Sequence, residues 1–521
     1  MNDWTATRRE AMETALGLAG ASLLGANTGW AKGAAMARAT YTPDLPSLHR
    51  HHAPAWFKDA KLGIFVHWGP YSIPGFAATA RPITAMEGAS PFAENPYAEW
   101  YRNSMRFPGS STAAYHARTY GADAPYEAFG AAFNQSLERW DPHAWADQFA
   151  RAGAGYAVLV TKHHDGFLLW PSATPNPHIP HWGTARDVVG ELAAAVRARG
   201  MKFGVYYSGG LDWTFNNRRI DTVRDMIGGI PEDPAYLAYI EAHYRELIDR
   251  YRPDYLWNDI AYPSEASFLK LAAHYYNVVP DGLINDRWMS PAGLRDPHAF
   301  DKTPGVTGLL PPKPVHYDVR TPEYGLFDRL LPFDWETTRG IGKSFGWNRA
   351  EVDSDLLTPA AIAQMLTQAA CFNGNVLLNT GPRGDAALDP AQTIRLDALG
   401  AWLRTYGEAI RGTRPVALEG QVPAGLQVGA TKSVRATYLH LIGALPSGPI
   451  TLPLPPEARV KSATLLGGTL ARWTQAGNAL TIDIAGPSDA PTQIVKLKLR
   501  RQAEYGDRRM VDALGLEPRT R

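Results

Sequence analysis

The middle of the chain alternates short apolar segments with segments of helical periodicity. Apolar segments lie at 62–66, 156–160, 201–206, 255–257, 282–284 and 376–378, and helical patterns such as VVGELAAAVRARG at 188–200 separate them. Strands that are apolar throughout and joined by helices indicate a parallel sheet covered on both faces. No glycine-rich dinucleotide motif follows the first strand. The sequence therefore predicts an α/β fold over residues 41–412, a (β/α)8-like barrel of the TIM type rather than an open doubly wound sheet.

The pattern changes after Gly412. Short segments of alternating polarity, such as NALTIDIAG at 478–486, follow one another with Gly, Pro and Ser between them. This pattern is typical of a β-sandwich, and we expect a C-terminal all-β domain over residues 413–500. Residues 501–521 are rich in arginine and have no periodicity, which predicts a mobile tail.

Residues 1–40 are predicted to be an export signal and a linker. Arg8 and Arg9 precede an apolar segment, Ala15 to Ala26, that is too short to span a bilayer. Paired arginines before a modest apolar segment are typical of twin-arginine signals. We therefore expect a periplasmic or secreted protein without a membrane span. The alternative is the amphipathic N-terminal helix of a cytoplasmic protein.

Charge and cysteine content exclude some classes of partner and site. The chain has 52 Lys and Arg against 51 Asp and Glu, so that nothing in its net charge supports binding to a nucleic acid. Cys371 is the single cysteine of the sequence, which excludes an internal disulfide and a cysteine-based zinc site. The 16 Trp and 23 Tyr have two interpretations. They are either a large aromatic core or, in part, the lining of a pocket that stacks on sugar rings.

Polar or titratable side chains stand at the ends of five successive predicted strands. They are His67, His163 with His164, Tyr206 or Tyr207, Asp259, and Asp286 with Arg287. In a (β/α) barrel the carboxyl ends of the strands meet at one rim, where the chemistry takes place. A polar group at one strand end is usually a cap or a turn residue. Five of them in succession predict a shared site.

The groups at this rim suit glycoside hydrolysis, which needs one carboxylate to attack or activate water and another to protonate the leaving oxygen. Asp259, between Trp257 and Tyr262 in the sequence, would be ionised and partly shielded there, as a nucleophile requires. The pattern leaves the second carboxylate open. The candidates are Glu99, Glu323 and Glu336.

A metal-dependent hydrolase is the alternative chemistry, with His67, His163 and His164 as imidazole ligands. Successive strand residues point to opposite faces, so that His163 and His164 would share one ion only at an irregular strand end. None of these three histidines belongs to a His-x-His pair, and the sequence contains no His-Glu-x-x-His motif. We therefore expect no metal and no other cofactor, and histidines that bind sugar hydroxyls.

Several long blocks resemble the retaining α-L-fucosidases of glycoside hydrolase family 29, from about Trp56 to Gly412. In chain order they are WFKDAKLGIFVHWGPYSIPG, NPYAEWYRNS, TKHHDGFLLWPS, FGVYYSGGLDW, PDYLWNDIAYP, NDRW, WETTRGIGKSFGWNR and NVLLNTGPRGDA. The resemblance implies a retaining exo-α-L-fucosidase that releases terminal α-L-fucosyl residues from glycans or glycoconjugates through a covalent fucosyl-enzyme intermediate. A fucose-binding protein of the same fold without catalysis is the alternative from another functional class.

The resemblance also implies roles for single residues. Asp259 lies where the family has its nucleophile, and Glu323 in TPEY resembles the block that bears the acid/base in some members. The residues expected to bind the substrate are His67, Glu99, Trp100, His163, His164, Tyr206, Trp257, Arg287 and Phe345. L-Fucose carries a methyl group at C6, and Trp68, Trp257 and Phe345 are expected to bury it.

Overall fold

The computed structural model describes residues 40–80, 92–296, 298–299, 310–418, 420–446, 448–484 and 491–500. The predicted export signal, apart from residue 40, and the predicted tail at 501–521 lie outside these residues. None of the helices in the described part of the chain is both long enough and apolar enough to cross a membrane.

A parallel sheet of seven strands forms the first part of the molecule. Its strands are β1 (Leu62–Val66), β2 (Tyr156–Lys162), β3 (Lys202–Ser208), β4 (Tyr255–Asp259), β5 (Leu283–Ile284), β6 (Trp335–Gly340) and β7 (Gly374–Thr380). Their order in the sheet is β5-β4-β3-β2-β1-β7-β6, and each neighbouring pair is parallel. The parallel strands and intervening helices confirm the predicted α/β barrel.

Residues 318–324 lie between the two edge strands, β5 and β6. The N–H of Asp318 donates to the carbonyl of Ile284 at 3.0 Å, and the N–H of Thr338 donates to the carbonyl of Pro322 at 3.0 Å. A parallel bridge also joins Glu323 to Thr338. This irregular segment therefore takes the place of an eighth strand and brings Glu323 to the rim of the barrel.

Helices surround the sheet. The α-helices are α1 (Leu45–Leu48), α2 (Ala55–Ala60), α3 (Tyr101–Ser104), α4 (Ser111–Tyr120), α5 (Ala128–Ser136), α6 (Pro142–Ala152), α7 (Val188–Arg197), α8 (Val223–Gly228), α9 (Pro234–Tyr251), α10 (Glu265–Val278), α11 (Pro291–Leu294), α12 (Pro359–Cys371) and α13 (Pro390–Tyr406). Short 3-10 helices occupy Pro70–Ser72, Ala98–Trp100, Leu137–Arg139, Asp353–Asp355 and Gly407–Ala409. Several long helices begin at a side chain that accepts a hydrogen bond from their first turn, as Asp141, Asp233 and Asp389 do.

The barrel strands bury both faces, which explains their continuously apolar sequences. Ile64 and Val66 of β1 belong to the core formed with helix residues such as Phe149. Phe65 points the other way, and its ring centroid is 5.2 Å from that of Trp257 on β4, although β1 and β4 are not neighbours in the sheet. The sheet therefore curls around an aromatic interior.

Antiparallel strands form the C-terminal domain. They are β8 (Arg414–Pro415), β9 (Gln427–Lys432), β10 (Thr437–Ile442), β11 (Ile450–Pro453), β12 (Val460–Leu465), β13 (Leu470–Ala476), β14 (Ala479–Ile484) and β15 (Thr492–Leu499). One sheet has the order β12-β15-β10-β9-β8 and the other β11-β14-β13. Leu439 and Val495 of the first sheet and Leu480 and Ile482 of the second share one core. The predicted β-sandwich is thus confirmed.

Candidate active site

Asp259 is the last residue of β4, and its side chain lies at the carboxyl end of the barrel. It is only 8% exposed. Its Oδ2 accepts a hydrogen bond of 2.7 Å from the hydroxyl of Tyr206, and its Oδ1 accepts from Arg287 Nη1 at 3.0 Å and from the N–H of Ile260 at 2.9 Å. Burial by itself would raise the pKa of Asp259, but Arg287 and the other donors outweigh burial and lower it. The side chain is therefore an ionised carboxylate in a shielded place.

Glu323 is the second carboxylate at this end. Its Oε2 accepts a hydrogen bond of 2.9 Å from Arg287 Nη2, and its Oε1 accepts one of 2.7 Å from the hydroxyl of Tyr97. Arg287 thus donates to Asp259 and to Glu323 at the same time. The guanidinium carbon of Arg287 is 4.7 Å from the centroid of the Trp257 ring below it, and this cation–π contact fixes the plane of the guanidinium group.

Asp286, the other polar residue at the end of β5, has a different role. It is fully buried and forms an ion pair of 2.7 Å with Arg320. It also accepts hydrogen bonds from the N–H and the hydroxyl of Thr321, at 3.0 and 2.6 Å. Asp286 therefore holds the segment that carries Glu323 against the barrel.

The three histidines of the rim lie together above Tyr206. The ring centroids of His163 and His164 are 4.0 Å apart, and those of His67 and His163 are 5.7 Å apart. Nδ1 of His67 contacts Asn379 Oδ1 at 2.6 Å, and Nδ1 of His164 contacts the hydroxyl of Ser208 at 2.7 Å. These bonds fix both ring planes.

Burial keeps the histidines neutral. It lowers the pKa of His67 to about 3, that of His164 to about 4, and that of His163 well below its ordinary value. Neutral imidazoles both donate and accept hydrogen bonds, as recognition of hydroxyl groups requires. Within the described residues, His163 Nδ1 has no protein partner, and no three His, Cys, Asp or Glu side chains are grouped so as to hold a metal ion.

A β-bulge in β2 brings both His163 and His164 to the rim. Val160 pairs with Tyr206 and Lys162 with Tyr207, so that one residue of β2 is extra. The bulge reverses the alternation of side chains. Lys162 consequently points away from the barrel interior to a buried ion pair of 2.8 Å with Asp212, and His163 points inward. His164 follows in the turn beyond the strand.

Glu99 and Phe345 approach the site from outside the sheet, Glu99 from the 3-10 helix Ala98–Trp100 and Phe345 from a loop. Glu99 is 2% exposed, and its Oε2 accepts from the N–H of Gly346 at 2.7 Å and from the hydroxyl of Ser344 at 3.4 Å. Burial raises the pKa of Glu99 to about 8. The Phe345 ring packs 4.9 Å from His67. The backbone and side chains of residues 344–346 thus hold the carboxylate of Glu99.

Trp100 closes another side of the site. Its ring centroid is 5.2 Å from that of His164 and 5.5 Å from that of Trp213. The predicted site residues at the strand ends therefore lie at one mouth together with Glu99, Trp100 and Phe345. Trp257 lies one layer below, between Tyr206 and Arg287.

Two residues considered from the sequence lie elsewhere. Glu336 is the second residue of β6 and lies inside the barrel near its amino end, where it accepts hydrogen bonds from the hydroxyls of Tyr156 and Tyr255. Trp68 packs outside the barrel, 4.6 Å from Phe133. Hence Glu336 does not face the mouth, and Trp68 is not available to cover a sugar methyl group.

The sequence reasoning missed Tyr97, Asn379 and Ser208, which orient Glu323, His67 and His164. Tyr97 is 226 residues from Glu323 in sequence, and Asn379 is 312 from His67. The sequence could have indicated Asn379 and Ser208 as site residues, because both lie near the carboxyl ends of barrel strands. Tyr97 lies on a loop, and nothing in its local sequence indicates its partner.

The sequence is similar to known α-L-fucosidases. The sequence model of the alpha-L-fucosidase family matches residues 29–408. The tissue alpha-L-fucosidase of Rattus norvegicus is 30% identical over 476 residues, which cover 87% of this chain and 91% of that protein. For the tissue alpha-L-fucosidase of Homo sapiens the identity is 29% over 469 residues, which cover 87% and 90%.

Solved structures give the same result. The Thermotoga maritima alpha-fucosidase in complex with fucose superposes with a TM-score of 0.72 and 36% identity, covering 88% of this chain and all of that chain. An alpha-L-fucosynthase from Thermotoga maritima has a TM-score of 0.74 at 36% identity and covers 88% of this chain. Since the family model matches most of the sequence, the chain belongs to the alpha-L-fucosidase family, glycoside hydrolase family 29.

Proposed function

We propose that this α-L-fucosidase hydrolyses terminal α-L-fucosyl residues of glycans or glycoconjugates with Asp259 as nucleophile and Glu323 as acid/base. The observation that carries the proposal is the guanidinium of Arg287, which donates to both carboxylates at one end of the barrel. Retaining glycosidases use a pair of carboxyl groups about 5–5.5 Å apart. A single fork holding both carboxylates is consistent with such a short separation.

The first step is an attack of Asp259 on the anomeric carbon. Its lowered pKa keeps the carboxylate ionised, and burial removes the water that would otherwise solvate it. A proton passes from Glu323 to the departing oxygen as the glycosidic bond breaks. This leaves a β-linked fucosyl ester on Asp259 and an ionised Glu323.

The second step reverses these roles. Glu323 takes a proton from a water molecule, and the oxygen of that water attacks the anomeric carbon and displaces Asp259. The proton returns Glu323 to its starting state. Two inversions give net retention, so that an α-fucoside yields α-L-fucose.

The pocket around these carboxylates supports fucose as the substrate. Neutral His67, His163 and His164 suit the sugar hydroxyls, together with Glu99 and Trp100. Of the three rings that we expected to bury the methyl group, Phe345 is the one that lies at the mouth, 4.9 Å from His67. Because burying one methyl is worth only about 1 kcal/mol, selectivity for fucose also needs the hydroxyl contacts and a close fit. The fucose complex of the Thermotoga maritima relative supports this assignment.

Azide distinguishes the two carboxylates. Asp259→Ala should lose several orders of magnitude in turnover of an aryl α-L-fucoside, and azide should restore part of it by attacking from the Asp259 side to give β-fucosyl azide. Glu323→Ala should lose about 10²–10⁴-fold on natural fucosides, whose leaving group needs a proton, and far less on an activated aryl fucoside. In Glu323→Ala, azide should attack the fucosyl ester on Asp259 and give α-fucosyl azide. If Glu99→Ala shows the Glu323 signature instead, the acid/base role moves to Glu99.

We also propose that the protein is exported to the periplasm or secreted. The proposal is supported by the Arg8 and Arg9 pair before the short apolar segment from Ala15 to Ala26.

A further inference from the structure

The backbone after Asp259 adopts a conformation that its sequence does not favour. Ile260 has φ of 66°, in the left-handed region. A β-branched residue is rarely found there, because its side chain collides with its own backbone. Tyr324, directly after Glu323, has φ of 51° and is another left-handed residue that is not glycine. Strain of this kind persists only where the surrounding structure imposes it.

The turn that follows β3 and contains Gly210 imposes the left-handed conformation on Ile260. The carbonyl of Asp259 accepts a hydrogen bond of 3.2 Å from the N–H of Gly210 and one of 2.9 Å from the N–H of Ala261. A Cβ on Gly210 would lie 2.6 Å from the backbone nitrogen of Ala261 and 2.9 Å from Cβ of Ile260. The two turns therefore fit together only because residue 210 is glycine.

The strained turn directs an N–H at the nucleophile. The peptide unit between Asp259 and Ile260 is planar, so that the hydrogen bonds from Gly210 and Ala261 to the carbonyl of Asp259 also fix the direction of the N–H of Ile260. This N–H donates to Asp259 Oδ1 at 2.9 Å. Oδ1 also accepts from Arg287, whereas Oδ2 accepts from Tyr206. The carboxylate is thus held by donors on both oxygens, and one of these donors is the backbone amide of Ile260.

We propose that the turn Asp259–Ala261, packed against Gly210, is a positioning device for the nucleophile, in which Ile260 acts through its backbone. The inference rests on the proposed role of Asp259. It predicts that a change to the packing of the two turns lowers the rate of the chemical step more than it lowers substrate binding. It also predicts that the side chain at 260 matters less than its N–H and its φ.

The first test is Gly210→Ala, with Gly228→Ala as the matched control. A Cβ on Gly228, at the end of α8, meets no heavy atom closer than 3.6 Å. We expect Gly210→Ala to lower kcat on an aryl α-L-fucoside by about 100-fold, since a misplacement of about 1 Å has an effect of this size. KM should change less than about threefold, because the sugar contacts lie on other elements. Equal kcat values for the two variants would overturn the inference.

The second test compares two substitutions at residue 260. Ile260→Gly keeps the N–H and tolerates the left-handed φ, whereas Ile260→Pro removes the N–H and fixes φ near −65°. We expect kcat of the proline variant to be about 100-fold below that of the glycine variant. If Ile260→Gly alone loses more than about tenfold in kcat, the side chain is the important part and the inference is wrong. This result decides the question even if the Gly210→Ala and Ile260→Pro proteins do not fold.

Azide rescue of Asp259→Ala separates this inference from the function on which it rests. If Asp259→Ala keeps normal turnover, the proposed nucleophile is wrong. If that variant behaves as expected while Gly210→Ala matches its control, only the positioning role is lost.

Discussion

Asp259 and Glu323 are joined by one guanidinium: Arg287 Nη1 lies 3.0 Å from Asp259 Oδ1, and Nη2 lies 2.9 Å from Glu323 Oε2. A planar fork bridges two carboxylates in a way that a single ammonium group does not. The bridge ties the end of β4 to the irregular segment 318–324, so that the two carboxylates keep their spacing although they come from different elements. Arg287 therefore has an electrostatic and a geometric role.

Replacing Arg287 should separate these roles. Arg287→Gln removes the charge that lowers the pKa of Asp259, so that this pKa should rise and the acidic limb of the kcat/KM profile should move to higher pH. Arg287→Lys keeps a charge but not the fork, and should lower kcat with a smaller displacement of that limb. The profiles are measured with an aryl fucoside. An unmoved acidic limb in Arg287→Gln would show that Arg287 does not control the ionisation of Asp259.

Glu336 should affect stability and not turnover. Burial raises its pKa to about 8, so that the folded protein binds a proton that the unfolded chain releases at its ordinary value near 4.3. Its contribution to stability is therefore complete at acidic pH and is lost as the pH rises through about 8, with a slope of about 1.4 kcal/mol per pH unit between the two pKa values. Glu336→Gln should flatten this dependence.

The measurement is urea unfolding of the unaltered protein and of Glu336→Gln at pH 5 and pH 8, with turnover of the aryl fucoside measured in parallel. The difference between the variants isolates Glu336, since Glu99 and the other buried acids are unchanged. The prediction would be contradicted if the free energy of unfolding changed equally with pH in the two proteins, or if Glu336→Gln lost much of its turnover.

The ion pair of Lys162 and Asp212 should be important for the stability of the folded protein. Both side chains are fully buried, 2.8 Å apart, and Asp212 also accepts from the N–H and the hydroxyl of Thr214. Asp212→Asn leaves the ammonium of Lys162 buried without its counter-charge, which should lower the free energy of unfolding by about 3–5 kcal/mol. Asp385→Asn is the control, because Asp385 pairs with Arg383 on the surface. That variant should change the free energy by no more than about 1 kcal/mol. Equal urea midpoints for the two variants would refute the prediction.

Export should depend on Arg8 and Arg9. The full-length chain, expressed in a bacterium with a twin-arginine pathway, should appear in the periplasm in a shortened form. The double variant Arg8→Lys with Arg9→Lys should remain in the cytoplasm at full length. Fractionation and intact-mass measurement distinguish the two, and an unaltered protein that stays cytoplasmic and uncut would disprove export.

The sequence by itself determined six of the seven barrel strands and the helices between them, the division into barrel and sandwich, and the meeting of His67, Tyr206, Asp259 and Arg287. Each of these follows from local periodicity and from one geometric fact. In a parallel barrel every strand points the same way, so that residues at strand ends must meet at one rim.

The tertiary structure alone decided how those residues are held. A bulge in β2 decided that His163 points into the barrel, and the place of Glu336 depended on the position of β6 in the sheet. The bond between Tyr97 and Glu323 joins residues that are 226 positions apart. Long-range contacts of this kind leave no local periodicity, because the partner of each group is fixed by packing and not by its neighbours in the chain. For the same reason the left-handed turn at Ile260 follows from Gly210, and not from the preference of isoleucine.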